Sequence, residues 1–194
     1  MIIDISLEIT KCKVYPGDPK PVVKELMKIE NGDMYNLSMF SMCAHNGTHV
    51  DAPAHFLRKG KTIDQIPLNH FVGECYVCEF NGELNANDAL AILKKAKELK
   101  ADSRILIKGD CVVSASCAKV FSEANLLLIG NESITVGPFD SPMEVHKILL
   151  EKDIVLLEGI NLSNVKPGKY FLAAQPLNIK GIEGSPCRAI LIKE

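Results

Sequence analysis

The chain has 194 residues, of which 47% are apolar and 24% are charged, so it fits one ordinary globular domain over residues 1–194. A formal net charge of −2 argues against a nucleic-acid partner. No apolar run approaches the roughly 20 residues that cross a bilayer, so no membrane partner is expected. An N-terminus without a basic leader and seven dispersed cysteines predict a cytoplasmic protein with reduced thiols.

The pattern of apolar residues predicts isolated strands in the first part of the chain and alternating strands and helices in its middle. Apolar patterns predict strands over 2–8 and 36–43, a turn over 15–21 (YPGDPKP) and an irregular segment over 45–56. Further along, the pattern predicts strands at 74–80, 104–108, 126–130, 153–158, 169–174 and 187–193. Helices are predicted at 88–99 and 114–121, and another begins at Ser141. This alternation predicts an α/β fold with a mixed sheet.

The helix predicted from Ser141 carries a recognisable start signal. Ser141 can cap the first turn, Pro142 suits the first helical position and Glu144 follows three residues after Ser141.

The segment His45–His55 (HNGTHVDAPAH) concentrates chemistry-bearing side chains. It holds three of the five histidines within eleven residues. His45, His49 and Asp51 supply imidazole and carboxylate groups that suit zinc, and three ligands leave a coordination position open, as in catalytic sites. The alternative is that these histidines only form hydrogen bonds within the loop. The presence of three histidines in so short a segment disfavours that alternative. The segment lacks the Glu that follows the first His in a zincin helix.

The remaining reactive side chains carry weaker signals. Cys75 and Cys78 form a CxxC pattern, but in a predicted strand they point to opposite faces, which indicates buried thiols. Cys43 precedes the histidine segment and could line the site, and a nucleophilic role beside a histidine base is the less favoured alternative. His70 has no partner in sequence and is interpreted as structural.

HNGTHVDAPAH resembles the HxGTHxDxPxH signature of the cyclase family of metal-dependent hydrolases, which includes bacterial kynurenine formamidases. PGDP at 16–19 and the run from Ser141 to Asn161 are similar to two further family segments. The resemblance implies a swivelling β/β/α domain, assembled as a homodimer or homotetramer. It also implies one or two Zn²⁺ ions, with Mn²⁺ as the alternative.

The same resemblance assigns roles to six residues. It implies that His45, His49 and Asp51 bind one metal and that Asp51 bridges to a second. The second ion would be held by His146 and Glu158, and His55 would be the catalytic acid/base. From the sequence alone, Glu158 is a carboxylate at the end of an apolar strand, a position that suits a site.

These features predict hydrolysis of a small-molecule amide, in which the metal activates water and His55 protonates the leaving nitrogen. The family resemblance favours an N-formyl arylamine such as N-formylkynurenine, and a cyclic amide suits the same chemistry. Lys108–Cys111 replaces the Thr-Gly-Trp-like segment of formamidases, and the chain has no Trp. The competing hypothesis is a non-catalytic metal or small-ligand binding protein on the same scaffold.

Overall fold

The computed structural model describes residues 1–193, which form thirteen strands and three α-helices. The strands are β1 (Ile2–Asp4), β2 (Val22–Met27), β3 (Leu37–Ser41), β4 (His49–Asp51), β5 (Val72–Glu79), β6 (Gly82–Leu84), β7 (Arg104–Lys108), β8 (Cys111–Val113), β9 (Leu128–Asn131), β10 (Val155–Glu158), β11 (Gly168–Ala173), β12 (Gly184–Pro186) and β13 (Ile190–Ile192). The helices are α1 (Ala86–Glu98), α2 (Ala115–Ser122) and α3 (Met143–Leu150). Short 3₁₀ helices cover Ile29–Asn31, Pro53–His55, Ile63–Gln65 and Leu68–His70.

Nine strands form one mixed sheet in the order β1-β13-β11-β5-β7-β9-β10-β4-β12. Its centre, β5-β7-β9-β10, is parallel, and the strands on both sides are antiparallel. The predicted α/β class with a mixed sheet is therefore confirmed. β2 and β3 form a separate two-stranded hairpin, and β6 and β8 form a parallel pair.

The sheet is buried on both faces because successive residues of its central strands alternate between two apolar clusters. On β7, Ile105 and Ile107 pack with the helices, whereas Leu106 packs on the opposite face. The three helices cover the first of these faces. Cys75 and Cys78 also fall in different clusters, which confirms that the CxxC thiols lie on opposite sides of the sheet.

Helix α1 follows from its sequence. Asn85 caps it by accepting the backbone N–H of Asn87 and Asp88, and Asp88 completes a capping box. Ala89, Ile92 and Ala96 recur at helical spacing and are buried. None of the helices formed by residues 1–193 has the length and apolar character needed to cross a bilayer.

Two local expectations are wrong. The segment 45–56 is not irregular throughout, because His49–Asp51 forms β4 inside the main sheet, between β10 and β12. The third helix begins at Met143 rather than directly after Ser141, and Pro142 occupies its N-cap position without a side-chain cap. Several predicted strands are also shorter than expected; residues 2–8, for example, yield only Ile2–Asp4.

Candidate metal centre

Strand β4 places His49 and Asp51 on the helix-covered face of the sheet. Residues two apart in a strand share a face, and the intervening Val50 packs into the opposite core. β4 runs antiparallel to β10, with His49 opposite Glu158. The cross-strand register therefore brings together three polar side chains, all buried.

The turn before β4 explains the fixed positions of the motif. Gly47 has a positive φ of 69°, and its carbonyl oxygen lies 3.0 Å from His49 Nδ1. A Cβ added to Gly159 would lie 2.6 Å from that carbonyl oxygen, so only glycine fits beside the turn. Thr48 Oγ1 donates to the carbonyl of Gly159 and accepts the N–H of Leu7. These contacts join the motif to the end of β10.

Helix α3 supplies a further histidine, His146, to the cluster. His146 is buried, and its Nδ1 lies 2.9 Å from the carbonyl oxygen of Pro142. This contact turns Nε2 towards the carboxylates, at 3.2 Å from Glu158 Oε1 and 3.6 Å from Asp51 Oδ2. The structure thus brings His146 and Glu158 to the histidine segment, as predicted.

The donor atoms form two groups that share Asp51. One contains His45, His49 and Asp51, the other contains Asp51, His146 and Glu158, and within each group the ligand atoms lie within 4.8 Å of one another. Asp51 Oδ1 lies 2.8 Å from His45 Nδ1, whereas its buried Oδ2 has no hydrogen-bond partner among residues 1–193. An unpartnered buried carboxylate oxygen among imidazole nitrogens fits a divalent cation.

The charges within this cluster keep its carboxylates ionised. Burial raises the pKa of Asp51, but the hydrogen bond from His45 and the charge of His49 outweigh it and hold that pKa below its usual range. Burial and the charge of Asp51 raise the pKa of Glu158, but contacts with His146 and His49 lower it below its usual range. Two ionised carboxylates in a buried site favour a positive charge between them.

The pKa values of His45 and His55 shift in opposite directions. Burial lowers the pKa of His45, but Asp51 and Glu183 outweigh this and raise it to about 9. Burial also lowers the pKa of His55, the nearby charge of His45 adds to that effect, and the net pKa lies below its usual value. The lowered pKa favours the neutral form of His55, which can accept a proton.

His55 stands beside the donor groups and belongs to neither of them. It ends the 3₁₀ helix Pro53–His55, and its ring stacks on that of His45 with centroids 4.0 Å apart. Its centroid lies 6.1 Å from that of His146. This placement gives His55 access to the site without a ligand position.

The cluster opens into a cavity of about 550 Å³. Its wall includes the site histidines, Glu158, Phe56, Ile134 and Met143, and Lys13 and Tyr15 also contribute. A neighbouring cavity of about 860 Å³ shares Lys13 and Ile134 with it. Mixed apolar and polar lining and these volumes suit a small organic molecule.

Neither the Lys108–Cys111 segment nor Cys43 lines this site. Gly109 and Asp110, from the Lys108–Cys111 segment, line the neighbouring cavity. Lys108 Nζ donates to the carbonyl oxygens of Ser163 and Val165. Cys43 is not among the residues that line the site cavity, and burial raises the pKa of its thiol, which disfavours a nucleophilic thiolate.

Comparison with known proteins places this site in a family. The family model described as putative cyclase matches residues 3–159. The chain belongs to the cyclase family. A kynurenine formamidase of Salinibacter ruber (strain DSM 13855 / M31) is 32% identical, and the alignment covers 98% of this chain and 96% of that protein.

Solved structures agree with this cyclase-family fold. A potential metal-dependent hydrolase with cyclase activity superposes with a TM-score of 0.81 at 25% identity, covering 100% of this chain and 98% of the other. Isatin hydrolase A from Labrenzia aggregata, bound to benzyl benzoate, is similar in fold, with a TM-score of 0.82, 20% identity and coverage of 100% and 94%. The predicted cyclase-like fold and the predicted class, a metal-dependent hydrolase, are both confirmed.

Two further residues at the cyclase-family site, Glu183 and Phe56, were not predicted from the sequence. Glu183 Oε1 lies 3.1 Å from His45 Nε2, although 138 residues separate them. The ring of Phe56 packs 4.4 Å from His55 and 4.6 Å from His146, measured between centroids. Phe56 directly follows the motif and could have been suspected from that position. Glu183 carries no local signal, because only the pairing of β12 with β4 brings it near.

Proposed function

We propose that this cyclase-family protein hydrolyses a small amide at the site formed by His45, His49, Asp51, His146 and Glu158. The observation that carries the proposal is the shared Asp51, whose two carboxylate oxygens face the two donor groups. The favoured substrate is an N-formyl arylamine such as N-formylkynurenine, in keeping with the named formamidase relative. A cyclic amide is the second candidate.

The donor set suits one or two Zn²⁺ ions, with Mn²⁺ as the alternative. His45, His49 and Asp51 would hold the first ion, and Asp51, His146 and Glu158 would hold the second. A bound ion would polarise the substrate carbonyl and lower the pKa of water from 15.7 to about 7.

His55 is proposed as the acid/base of the reaction. In its neutral form it takes a proton from the attacking water and then passes that proton to the leaving nitrogen as the carbon–nitrogen bond breaks. Water thus contributes OH to the carbonyl carbon and H to the amine. For a formamide, the products are formate and the free amine. Phe56 and Ile134 supply apolar surface on the wall of the same cavity.

The test combines metal analysis with a substrate screen. The purified protein is expected to carry a divalent transition metal and to hydrolyse at least one member of a panel of formamides, cyclic amides and lactones. His49→Ala should lose metal and turnover together, whereas His70→Ala, outside the site, should keep both. Bound metal without turnover on any member would favour the non-catalytic binding hypothesis.

We also propose that the partner of this chain is a second copy of itself. Nine of the 18 exposed large apolar side chains in the described residues lie between residues 22 and 40, on or beside the β2–β3 hairpin. Isolated two-stranded hairpins are marginally stable in water, and unpaired strand edges attract other strands.

The free edge of β2 suits a second copy as the occupant. β2 reads VVKELM, and its sheet neighbour among the described residues is β3 alone. Antiparallel approach of two β2 strands about a two-fold axis would pair their free edges and join the two hairpins into one four-stranded sheet. The same axis would bring together exposed apolar side chains of both hairpins, among them Val23 and Phe40, which are opposite each other in the register of β2 with β3.

A cytoplasmic location is proposed from the thiols. All seven cysteines are free, and Cys75, Cys78, Cys111 and Cys117 are buried. Free cysteines in such number are typical of reducing compartments. Fractionation of cells that make the untagged protein would test this, and recovery outside the cytoplasm would overturn it.

A further inference from the structure

His45 differs from the other ligand histidines in what contacts its outer ring nitrogen. His49 and His146 each place Nδ1 against a backbone carbonyl only two or four residues away. His45 instead turns Nδ1 towards Asp51 and Nε2 towards the carboxylate of Glu183, at 2.8 and 3.1 Å. The orientation of its ring therefore depends on a side chain from a distant segment.

The backbone around Glu183 is fixed by the same strand pairing that builds the site. The carbonyl oxygen of Glu183 accepts the N–H of Ala52 at 2.8 Å, and Gly184 lies opposite Asp51 in the register of β12 with β4. A Cβ added to Gly184 would lie 2.7 Å from His45 Cε1. Glycine at 184 thus leaves room for the imidazole, and the neighbouring carboxylate contacts its edge.

From this geometry we infer that Glu183 is a positioning residue, which accepts the Nε2–H of His45 and so holds Nδ1 towards the metal site. The inference rests on the proposed role of His45 as a ligand. A carboxylate that binds the outer N–H of a ligand histidine fixes its tautomer and its ring orientation. The family model ends at residue 159, so this contact lies outside the matched region.

The contact also bears on the proposed acid/base. The His45 ring stacks on His55 with an interplanar angle of 27°. A ring held by Glu183 on one edge and by Asp51 on the other presents a fixed face to His55. Loss of Glu183 should therefore loosen one ligand and the surface on which His55 packs.

The test measures zinc affinity in the purified protein by competition with a chromophoric chelator. Glu183→Ala should weaken zinc binding by about 10–100-fold, the usual effect of losing a partner of a ligand histidine. Glu183→Gln should recover most of the affinity, because its amide oxygen still accepts the Nε2–H. At saturating zinc, Glu183→Ala should regain most of its turnover, as a positioning role requires.

Glu74→Ala is the matched control, because the side chain of Glu74 is 48% exposed against 43% for Glu183 and it contacts a lysine far from the site. It should leave zinc affinity unchanged, and the melting temperature of the metal-free protein should be similar in all variants. Unchanged zinc affinity in Glu183→Ala, or an equal loss in Glu183→Gln, would overturn the positioning role. Failure of the wild-type protein to bind either zinc or Mn²⁺ would instead refute the proposed function.

Discussion

Two regions of this molecule reverse the usual distribution of polar and apolar side chains. The candidate metal centre buries Asp51, Glu158 and two histidines among apolar strands. The β2–β3 hairpin exposes apolar side chains such as Met34, which is 93% exposed. Buried charge and exposed apolar surface are the informative exceptions in a folded protein. Buried carboxylates and imidazoles suit a cation, and exposed apolar side chains suit an apolar surface, so the two regions indicate different partners.

The largest effect is expected when the shared carboxylate of the metal centre is removed. Asp51→Asn keeps the shape of the side chain but takes the negative charge from both donor groups. The stabilisation of the transition state by the metal should fall by several kcal/mol. At 1.36 kcal/mol per tenfold change in rate, this loss lowers turnover by about 1,000-fold or more. Elemental analysis should show metal reduced at both positions. Asp102→Asn, at an exposed site, is the control, and a full metal complement in Asp51→Asn would contradict the two-group site.

A second variant separates metal binding from proton transfer. His55→Ala should retain metal, since His55 belongs to neither donor group. Turnover should fall by about 10²–10⁴-fold, the usual contribution of general acid–base catalysis. Metal content and kcat are measured on the same preparation. If metal and activity fall in proportion, His55 is a ligand and its proposed role is wrong.

The hairpin is tested through its apolar surface. Val23→Asp should weaken self-association by about 10-fold or more, because an apolar side chain that the second copy would bury, worth about 1.5 kcal/mol or more, becomes charged. Leu90→Asp, at an equally exposed apolar position outside the hairpin, is the control and should leave association unchanged. Light scattering over a dilution series measures both variants. A wild-type monomer at micromolar concentration, or an equal loss in Leu90→Asp, would exclude this interface.

An ordinary surface ion pair should have the smallest effect. The hydrogen bond from Arg188 lowers the pKa of Asp4 to about 2. The side chain of Arg188 is 77% exposed and that of Asp4 is 44% exposed. Asp4→Asn should cost less than about 1 kcal/mol of unfolding free energy. Because the folded pKa lies below the unfolded value, this contribution is present above about pH 4 and disappears as pH falls through about 2. Urea unfolding should show a larger difference between variant and wild type at pH 6 than at pH 2.

The sequence predicted the parts of this molecule that depend on local pattern. The alternating strands and helices from β5 to β10 follow from apolar periodicity, and the motif identified three donors together with His55. β4 escaped prediction because its three residues carry no strand pattern and are held by β10 and β12, more than 100 residues away. Glu183 was not predicted either, because the pairing of β12 with β4 brings it to the site from a distant part of the chain. Ser141 resembled a helix cap, but Pro142 takes that position.

The position of β4 in the sheet has a consequence for how the protein acquires its metal during synthesis. β4 is made early, yet both of its neighbours, β10 and β12, come from after residue 154. While the chain is growing, His49 and Asp51 have no strand to align them, and Glu158 does not yet exist. Because chains fold as they are synthesised, at about 5–20 residues per second, the donor groups assemble only after β10 and β12 have been made. Metal binding at the proposed site would therefore follow the pairing of β4 with β10 and β12.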